Sequence, residues 1–156
     1  MSGAESTEPV LRLDDHHFFR GTDPEFLSLL GATAYSRSFE PGTLLVREGD
    51  PADEFLAVFS GKVALEIIVP GRPRTTVQTV GPGEVIGWSW LFPPHRWRID
   101  ARALKPTRTL GFGAAHLRAV LDEHPVDAYR FLLRLLPVIA QRLENTRLQL
   151  LDLHGP

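Results

Sequence analysis

The central part of the chain is interrupted by glycine and proline turns at short intervals. Between Ser36 and Phe112, apolar runs such as Phe55–Phe59 and Val63–Val69 are only a few residues long, and turns such as Gly81-Pro82-Gly83 separate them. Runs of this length between turns predict β-strands. Several short strands at close spacing indicate a barrel or a sandwich. With 13 glycines and 13 prolines in 156 residues, a purely helical bundle is disfavoured.

Helical patterns flank the strand region on both sides. Asp23-Pro24 is typical of a helix start, an N-cap followed by proline at the first helical position, and Gly31 suits the helix end. From Ala114 the apolar spacing becomes helical again, and we expect a short helix followed by a long one over about Pro125–Leu153. We divide the chain into an N-terminal tail (1–17), a helix with a β-barrel (18–113) and C-terminal helices (114–156).

The last helix carries an apolar seam whose members are alternately four and three residues apart. This is the spacing of a coiled-coil seam, in which one helix packs against another. Packing against the chain's own barrel is the alternative, but the length of the seam favours pairing between two copies. We therefore expect a homodimer through this helix. The seam consists of Leu132, Leu136, Ile139, Leu143, Thr146, Leu150 and Leu153.

Composition excludes several kinds of site and of location. The chain has no cysteine, so disulfides, thiol nucleophiles and cysteine metal sites are ruled out. A net charge of −2 argues against free-standing nucleic-acid binding, which usually needs a basic excess. The longest stretch without charged residues, Val85–His95, is far shorter than the ~20 residues of a membrane helix, and Met1–Val10 lacks the apolar run of a signal peptide. We expect a cytoplasmic protein.

No catalytic or metal-binding constellation stands out in the sequence. The histidines of Asp14-Asp15-His16-His17 are adjacent, so their side chains point in different directions and predict no metal site. The glycines at 81, 83 and 87 are spaced one residue too widely for a dinucleotide-binding fingerprint. A metal-dependent cupin would need a His-x-His cluster with a carboxylate, which the sequence lacks. We therefore expect a protein that is not an enzyme.

Several segments of the strand region resemble the cyclic nucleotide-binding domain family. Glu40–Asp53, with its Arg-Glu-Gly-Asp sequence, and Phe55–Val63 are similar to the opening strands of that family. Gly81–Gly87 resembles the strand that leads into the family's phosphate-binding cassette, and Ala101–Ala103 resembles the strand after it. The resemblance covers roughly residues 18–152.

This resemblance implies a mainly β fold, namely a double-stranded β-helix or jelly-roll barrel. A short N-terminal helix and C-terminal helices would flank the barrel, the last of them a long dimerisation helix. The family includes bacterial transcription factors of the catabolite-activator type, kinase regulatory subunits and gated channels. In the activator type a helix-turn-helix domain follows the dimer helix. Because this chain stops at Pro156, we expect a stand-alone domain without direct DNA binding.

The cassette departs from what the resemblance implies for nucleotide binding. In the family, a glutamate directly after the cassette glycine accepts from the ribose hydroxyl, and an arginine further on pairs with the phosphate. Here Trp88 follows Gly87, and Trp97 falls at the arginine position between Arg96 and Arg98. Strand alternation places Trp97 inward, whereas a one-residue slip or a bulge would bring Arg98 inward. Losing two charged hydrogen bonds would weaken binding by roughly 10²–10⁴.

We therefore expect a non-enzymatic, homodimeric regulatory module that does not bind cAMP in the usual way. Its ligand would be a cyclic nucleotide or another small molecule, and a separate effector protein is a further candidate partner. The alternatives are a genuine cAMP or cGMP sensor that uses Arg98 or Arg96 with the cassette amides, a protein–protein interaction module, and a disfavoured cupin-like enzyme. The predicted ligand-binding residues are Gly87, Trp88, Ser89, Arg96, Trp97 and Arg98.

Two details remain open at this level. The tryptophan-rich segment Trp88–Trp97 fits a filled pocket, an aromatic-lined site for an apolar or planar ligand, or an interface patch. Thr146, the polar member of the seam, either sets the register of the dimer helix or contacts a ligand in the partner's barrel, as the resemblance implies. Asn145 and Arg142 would join it in the second role.

Overall fold

In the computed structural model, which describes residues 11–153, eight strands and three α-helices follow one another along the chain. The strands are β1 Tyr35–Phe39, β2 Leu44–Val46, β3 Glu54–Ser60, β4 Val63–Ile67, β5 Thr75–Val80, β6 Val85–Ile86, β7 Asp100–Ala103 and β8 Thr107–Gly113. The helices are α1 Pro24–Gly31, α2 Ala114–Glu123 and α3 Pro125–Leu153, and two short 3-10 helices, Leu13–Asp15 and His17–Phe19, precede them. Within this described part, no helix combines the length and the apolar character that a bilayer crossing requires.

The strands form two four-stranded antiparallel sheets, one in the order β1-β8-β3-β6 and the other in the order β2-β7-β4-β5. Apart from the consecutive pair β4 and β5, strands that pair in space are distant in sequence: Leu56 of β3 lies opposite Gly111 of β8, and Ala64 of β4 lies opposite Arg102 of β7. Such pairings between distant strands are characteristic of a jelly roll. The predicted mainly β barrel with helices at both ends is therefore confirmed.

One turn shows why the barrel needs glycine where the sequence has it. Gly61 joins β3 to β4 with a φ of +99°, a conformation that side chains rarely adopt. A Cβ at this position would lie 2.4 Å from Oγ1 of Thr107 and 2.5 Å from the carbonyl oxygen of Pro106. The β3–β4 turn can therefore pack against the start of β8 only because residue 61 has no side chain.

The segment before α1 packs on the barrel through His16. Nε2 of the buried His16 ring lies 2.8 Å from the carbonyl oxygen of Val58, and Nδ1 accepts from the Phe18 amide at 3.2 Å. These two contacts fit a neutral ring with its proton on Nε2, and burial lowers the pKa of His16. The predicted tail, residues 1–17, thus overlaps this packed segment, and its first ten residues lie outside the described part of the chain.

An aromatic cluster fixes the long helix to the barrel. Phe131 of α3 lies 5.6 Å from Phe18, 6.0 Å from Phe55 and 6.1 Å from Trp90, measured between ring centres. These residues come from the N-terminal segment, from β3 and from the loop after β6, so one helical side chain joins three parts of the fold. The edge-on ring contacts are of the kind that aromatic pairs prefer. The helix that carries the predicted seam is thereby held next to the cassette.

Candidate functional site

A cavity of about 240 Å³ lies between the barrel and α3. Its walls come from β4, from β5, from the segment between β6 and β7, and from the middle of α3. Apolar side chains dominate this lining. The cavity is lined by Leu65, Val77, Gly87, Trp88, Ser89, Trp97, Arg98, Ile99, Ile139, Arg142, Leu143 and Thr146.

The segment after β6 begins with a turn at the cassette position. Gly87 has a φ of +81°, and the Leu91 amide then donates to the carbonyl oxygen of Trp88 at 3.0 Å. Trp90 is fully buried, where Nε1 donates to the carbonyl oxygen of Gly87 at 3.2 Å and the ring centre lies 5.0 Å from that of Phe55. Trp90 is therefore a core anchor, which leaves Trp88 as the tryptophan of this turn that faces the cavity.

The Trp97 indole packs directly on the cassette glycine. A Cβ built on Gly87 would lie 2.1 Å from Cζ3 and 2.7 Å from Cη2 of Trp97, whose side chain is buried. Hydrogen bonds hold the backbone of Trp97 in place, since its amide donates to Asp50 and its carbonyl oxygen accepts from Gly49. Trp97 is thus buried, but it precedes β7 and Arg98 lines the same cavity, so the simple strand alternation that separated the two registers does not apply to this segment.

The two arginines beside Trp97 have different surroundings. Nη1 of Arg96 donates to the carbonyl oxygen of Gly49 at 3.0 Å, and Arg96 does not line the cavity. Arg98 is exposed and lines the cavity. Five of the six predicted cassette residues thus meet at the cavity, and Arg96 lies apart from them.

Arg142 is the charged residue of α3 that lines this cavity, and only 4% of its surface is exposed. One of its terminal nitrogens donates to the carbonyl oxygen of Val85, and its Cζ lies 5.2 Å from the centre of the Trp88 ring. Nε and Nη1 are buried and have no hydrogen-bond partner among residues 11–153. Burial lowers the pKa of Arg142 to about 10.

No carboxylate of residues 11–153 forms a salt bridge with Arg142. Glu84 is the acid whose charge acts on this arginine, but its Oε2 accepts from the Gly81 amide at 2.7 Å. Sequence reasoning named Arg142 only as a companion of Thr146 at a ligand of the partner's barrel, whereas here it lines the cavity of its own chain. Its position could have indicated this, because Arg142 lies three residues after Ile139 and therefore on the same helix face.

The remaining predicted seam positions fall into two groups. Leu136, Leu143 and Leu150 are exposed, whereas Leu132, Ile139 and Thr146 are half-buried. The side chain of Leu153 lies outside the described part of the structure. The neighbouring Asn145 donates to Oε1 of Gln78 on β5 at 3.3 Å, which ties the helix to the barrel. One edge of the seam therefore faces solvent and the other edge faces the chain's own barrel.

Comparison with known proteins agrees with this geometry. The profile of the family described as "Cyclic nucleotide-binding domain" matches residues 36–124. The CRP-like cAMP-activated global transcriptional regulator of Mycobacterium tuberculosis is 26% identical over 135 residues, which cover 86% of this chain and 58% of that protein. The chain thus spans less than two thirds of this curated relative.

Two solved structures have the same fold. The N-terminal domain of a transcriptional regulator from Streptomyces coelicolor A3(2) is 31% identical, with a TM-score of 0.63 over 86% of this chain and 93% of that one. The Thermus thermophilus catabolite activator protein is 27% identical, with a TM-score of 0.68 over 88% of this chain and 62% of that one. The chain therefore belongs to the cyclic nucleotide-binding domain family and is a regulatory domain of the type found in CRP-like transcriptional regulators.

Proposed function

We propose that this domain is a non-enzymatic, homodimeric ligand sensor whose cassette does not bind cAMP or cGMP in the way usual for its family. The contact between Trp97 and Gly87 carries this proposal. In the family the phosphate approaches the cassette amides, and here an indole covers the cassette glycine. Trp88, in the position of the ribose-binding glutamate, offers an aromatic ring in place of a carboxylate.

The cavity and the predicted dimer seam share residues, which supports a sensing function. Ile139, Leu143 and Thr146 belong to the seam and also line the cavity. A ligand in the cavity would therefore touch the helix through which two copies pair. If the ligand fits one arrangement of the paired helices better than another, its binding shifts the dimer population towards that arrangement.

Exposed leucines on α3 support the homodimer. Leu136, Leu143 and Leu150 are separated by intervals of seven residues, so they form one line along the helix, and each is largely exposed. Three exposed leucines in a line at this spacing are the pattern that a second copy of the same helix would cover. A symmetric pair of α3 helices also fits the twofold arrangement that most homodimers adopt.

Light scattering after size-exclusion chromatography tests the dimer. The Leu136→Glu/Leu150→Glu variant places charges on the seam, whereas the matched control Leu133→Glu/Leu151→Glu changes leucines of similar exposure (all four between 43% and 55%) on another face. We expect a dimer for the wild type and the control, and a monomer for the seam variant. A monomeric wild type, or equal dissociation of both variants, would refute this arrangement.

Calorimetric titration with cAMP and cGMP tests the sensor function. We expect no binding heat at millimolar nucleotide, because the Trp97 ring covers Gly87 and the ribose-binding carboxylate is absent. The protein is kept dimeric throughout, so that a missing dimer cannot explain a missing signal. Micromolar binding would overturn the proposal.

A genuine cyclic-nucleotide sensor is the second candidate function. The position of Arg98 favours it, because this exposed arginine lines the cavity and could reach a phosphate there. The Arg98→Ala variant separates the two candidates. Nucleotide binding that is lost in Arg98→Ala would establish the second candidate, whereas binding that survives this substitution would refute Arg98 as the phosphate contact.

A further inference from the structure

The cavity is lined by a buried cation, Arg142, that forms no salt bridge with any carboxylate of residues 11–153. Arg142 is almost entirely buried, yet two of its three guanidinium nitrogens have no hydrogen-bond partner among residues 11–153. Burying a charge is costly unless it is paired, and an unmet donor adds a further cost. Folding alone does not explain an arginine in this position, whereas a ligand that supplies an acceptor would.

We infer that the cavity binds a small organic acid, with an apolar body between the barrel and α3 and a carboxylate that pairs with Arg142. This inference rests on the proposed function, because the ligand of the sensor would be this acid. It also names the contact through which the ligand would act on α3.

The guanidinium has unused donors. Its bond to the Val85 carbonyl oxygen and its contact with the Trp88 ring hold the group, and Nε and Nη1 are buried without a partner among residues 11–153, so a ligand has to displace the side chains that cover them. A carboxylate has two oxygens that accept, and charge-assisted bonds of this kind are roughly twice as strong as neutral ones. The chemistry of the free donors therefore matches a carboxylate.

The rest of the lining selects an apolar body. Leu65, Val77 and Ile139 face the same space as the rings of Trp88 and Trp97. Hydrocarbon or aromatic groups would gain from burial against these walls. Of the neutral polar side-chain groups in the lining, the Ser89 and Thr146 hydroxyls can accept a hydrogen bond whereas the Trp88 and Trp97 indoles only donate, which leaves few acceptors for the many polar atoms of a nucleotide.

The dimensions of the cavity limit the size of the ligand. Its volume of about 240 Å³ is below the roughly 300–1,000 Å³ of pockets that hold drug-sized ligands. One buried cation balances one carboxylate, and the second arginine of the lining, Arg98, is exposed to solvent. The ligand class is therefore a monocarboxylic acid with a short aliphatic chain or a single ring system.

Matched acids and amides test this inference on the intact chain. Hexanoate, benzoate, phenylacetate and indole-3-acetate are titrated by calorimetry, each beside its neutral amide. The same titrations are run on Arg142→Gln and on Arg147→Gln, which removes the same charge from an exposed arginine of α3 outside the cavity lining. Arg142→Met, a second variant that removes the charge and keeps most of the volume, is used if Arg142→Gln fails to fold.

We expect at least one acid to bind the wild type about tenfold more tightly than its amide, because a charge-assisted bond replaces a neutral one. This preference should persist in Arg147→Gln and disappear when Arg142 is replaced. The inference is overturned if no acid binds better than its amide, or if the preference survives replacement of Arg142. A cAMP titration in parallel separates the two proposals. If neither the acids nor cAMP bind, only the inference of an acid ligand is refuted. If cAMP binds at micromolar concentration, the proposed function is refuted.

Discussion

The guanidinium carbon of Arg142 lies 5.2 Å from the centre of the Trp88 ring, so the side chain that follows the cassette glycine stacks on a cation from the long helix. This contact joins the turn after β6 to α3. A tryptophan in this position shields the arginine but does not neutralise it, since a ring attracts a cation more weakly than a carboxylate does. Displacement of either group by a ligand would therefore move the other.

The unpaired charge of Arg142 should reduce the stability of the ligand-free protein. We expect Arg142→Met to raise the free energy of unfolding, because replacing buried charges with apolar groups of similar volume often stabilises by about 1–4 kcal/mol. Loss of the bond to Val85 offsets about 1 kcal/mol of this gain. Urea unfolding at fixed protein concentration measures the difference, with Arg98→Met as the exposed control that should change little. A clear loss of stability in Arg142→Met would show that the charge has a partner.

The contact between Trp97 and Gly87 predicts a large cost for a single methyl group. We expect Gly87→Ala to lower the free energy of unfolding by about 1–2 kcal/mol for its positive φ and by a further ~1–3 kcal/mol for the clash with the indole. Gly42→Ala is the matched control, since Gly42 has a φ of +90° and nothing within 4 Å of its Cβ position. Denaturant unfolding of both variants gives the comparison, and equal costs would contradict the contact.

A double-mutant cycle isolates the same contact. In the Trp97→Ala background the ring is absent, so Gly87→Ala should cost no more than Gly42→Ala does in the wild type. The coupling free energy between positions 87 and 97 is measured from the four unfolding curves. A coupling near zero would mean that the indole does not lie on Gly87 in solution.

The buried His16 predicts a dependence of stability on pH. Burial lowers the pKa of His16 in the folded protein. Below about pH 6.5 this histidine is therefore protonated in the unfolded chain while it stays neutral in the folded chain. Stability is therefore fully present above this pH and falls as the pH drops, by at most about 1.4 kcal/mol per pH unit from this group. Unfolding curves are measured about one pH unit on either side of ~6.5, at about pH 7.5 and about pH 5.5. The difference in free energy of unfolding between the two pH values should be smaller in His16→Gln than in the exposed control His17→Gln. An equal difference in the two variants would exclude His16 as the source.

Much of the fold follows from local signals in the sequence. Asp23 caps α1 through the Phe26 amide at 3.1 Å, with Pro24 in the first turn, as the dipeptide predicts. The strands and the glycine turns of the barrel could be predicted because each depends on only a few neighbouring residues. Strand alternation did not decide the direction of Trp97, because this residue lies in the irregular segment before β7.

The role of Arg142 could not be predicted in the same way. Its burial depends on Val85, which is distant in sequence, and on a tryptophan in the cassette turn. Three tryptophans within ten residues also look alike in sequence. Only their three-dimensional surroundings separate Trp90 in the core from Trp88 at the cavity, because a single turn has no periodicity to reveal which face is buried.

The indole N–H signals of the three tryptophans provide the most direct test of the account. Nuclear magnetic resonance of ¹⁵N-labelled protein, assigned with Trp→Phe variants, reports on Trp88 at the cavity, Trp97 over Gly87 and Trp90 in the core. We predict that millimolar cAMP leaves all three signals in place. A saturable shift of the Trp88 and Trp97 signals at micromolar cAMP, with Trp90 unmoved, would contradict the claim that this cassette no longer receives a cyclic nucleotide.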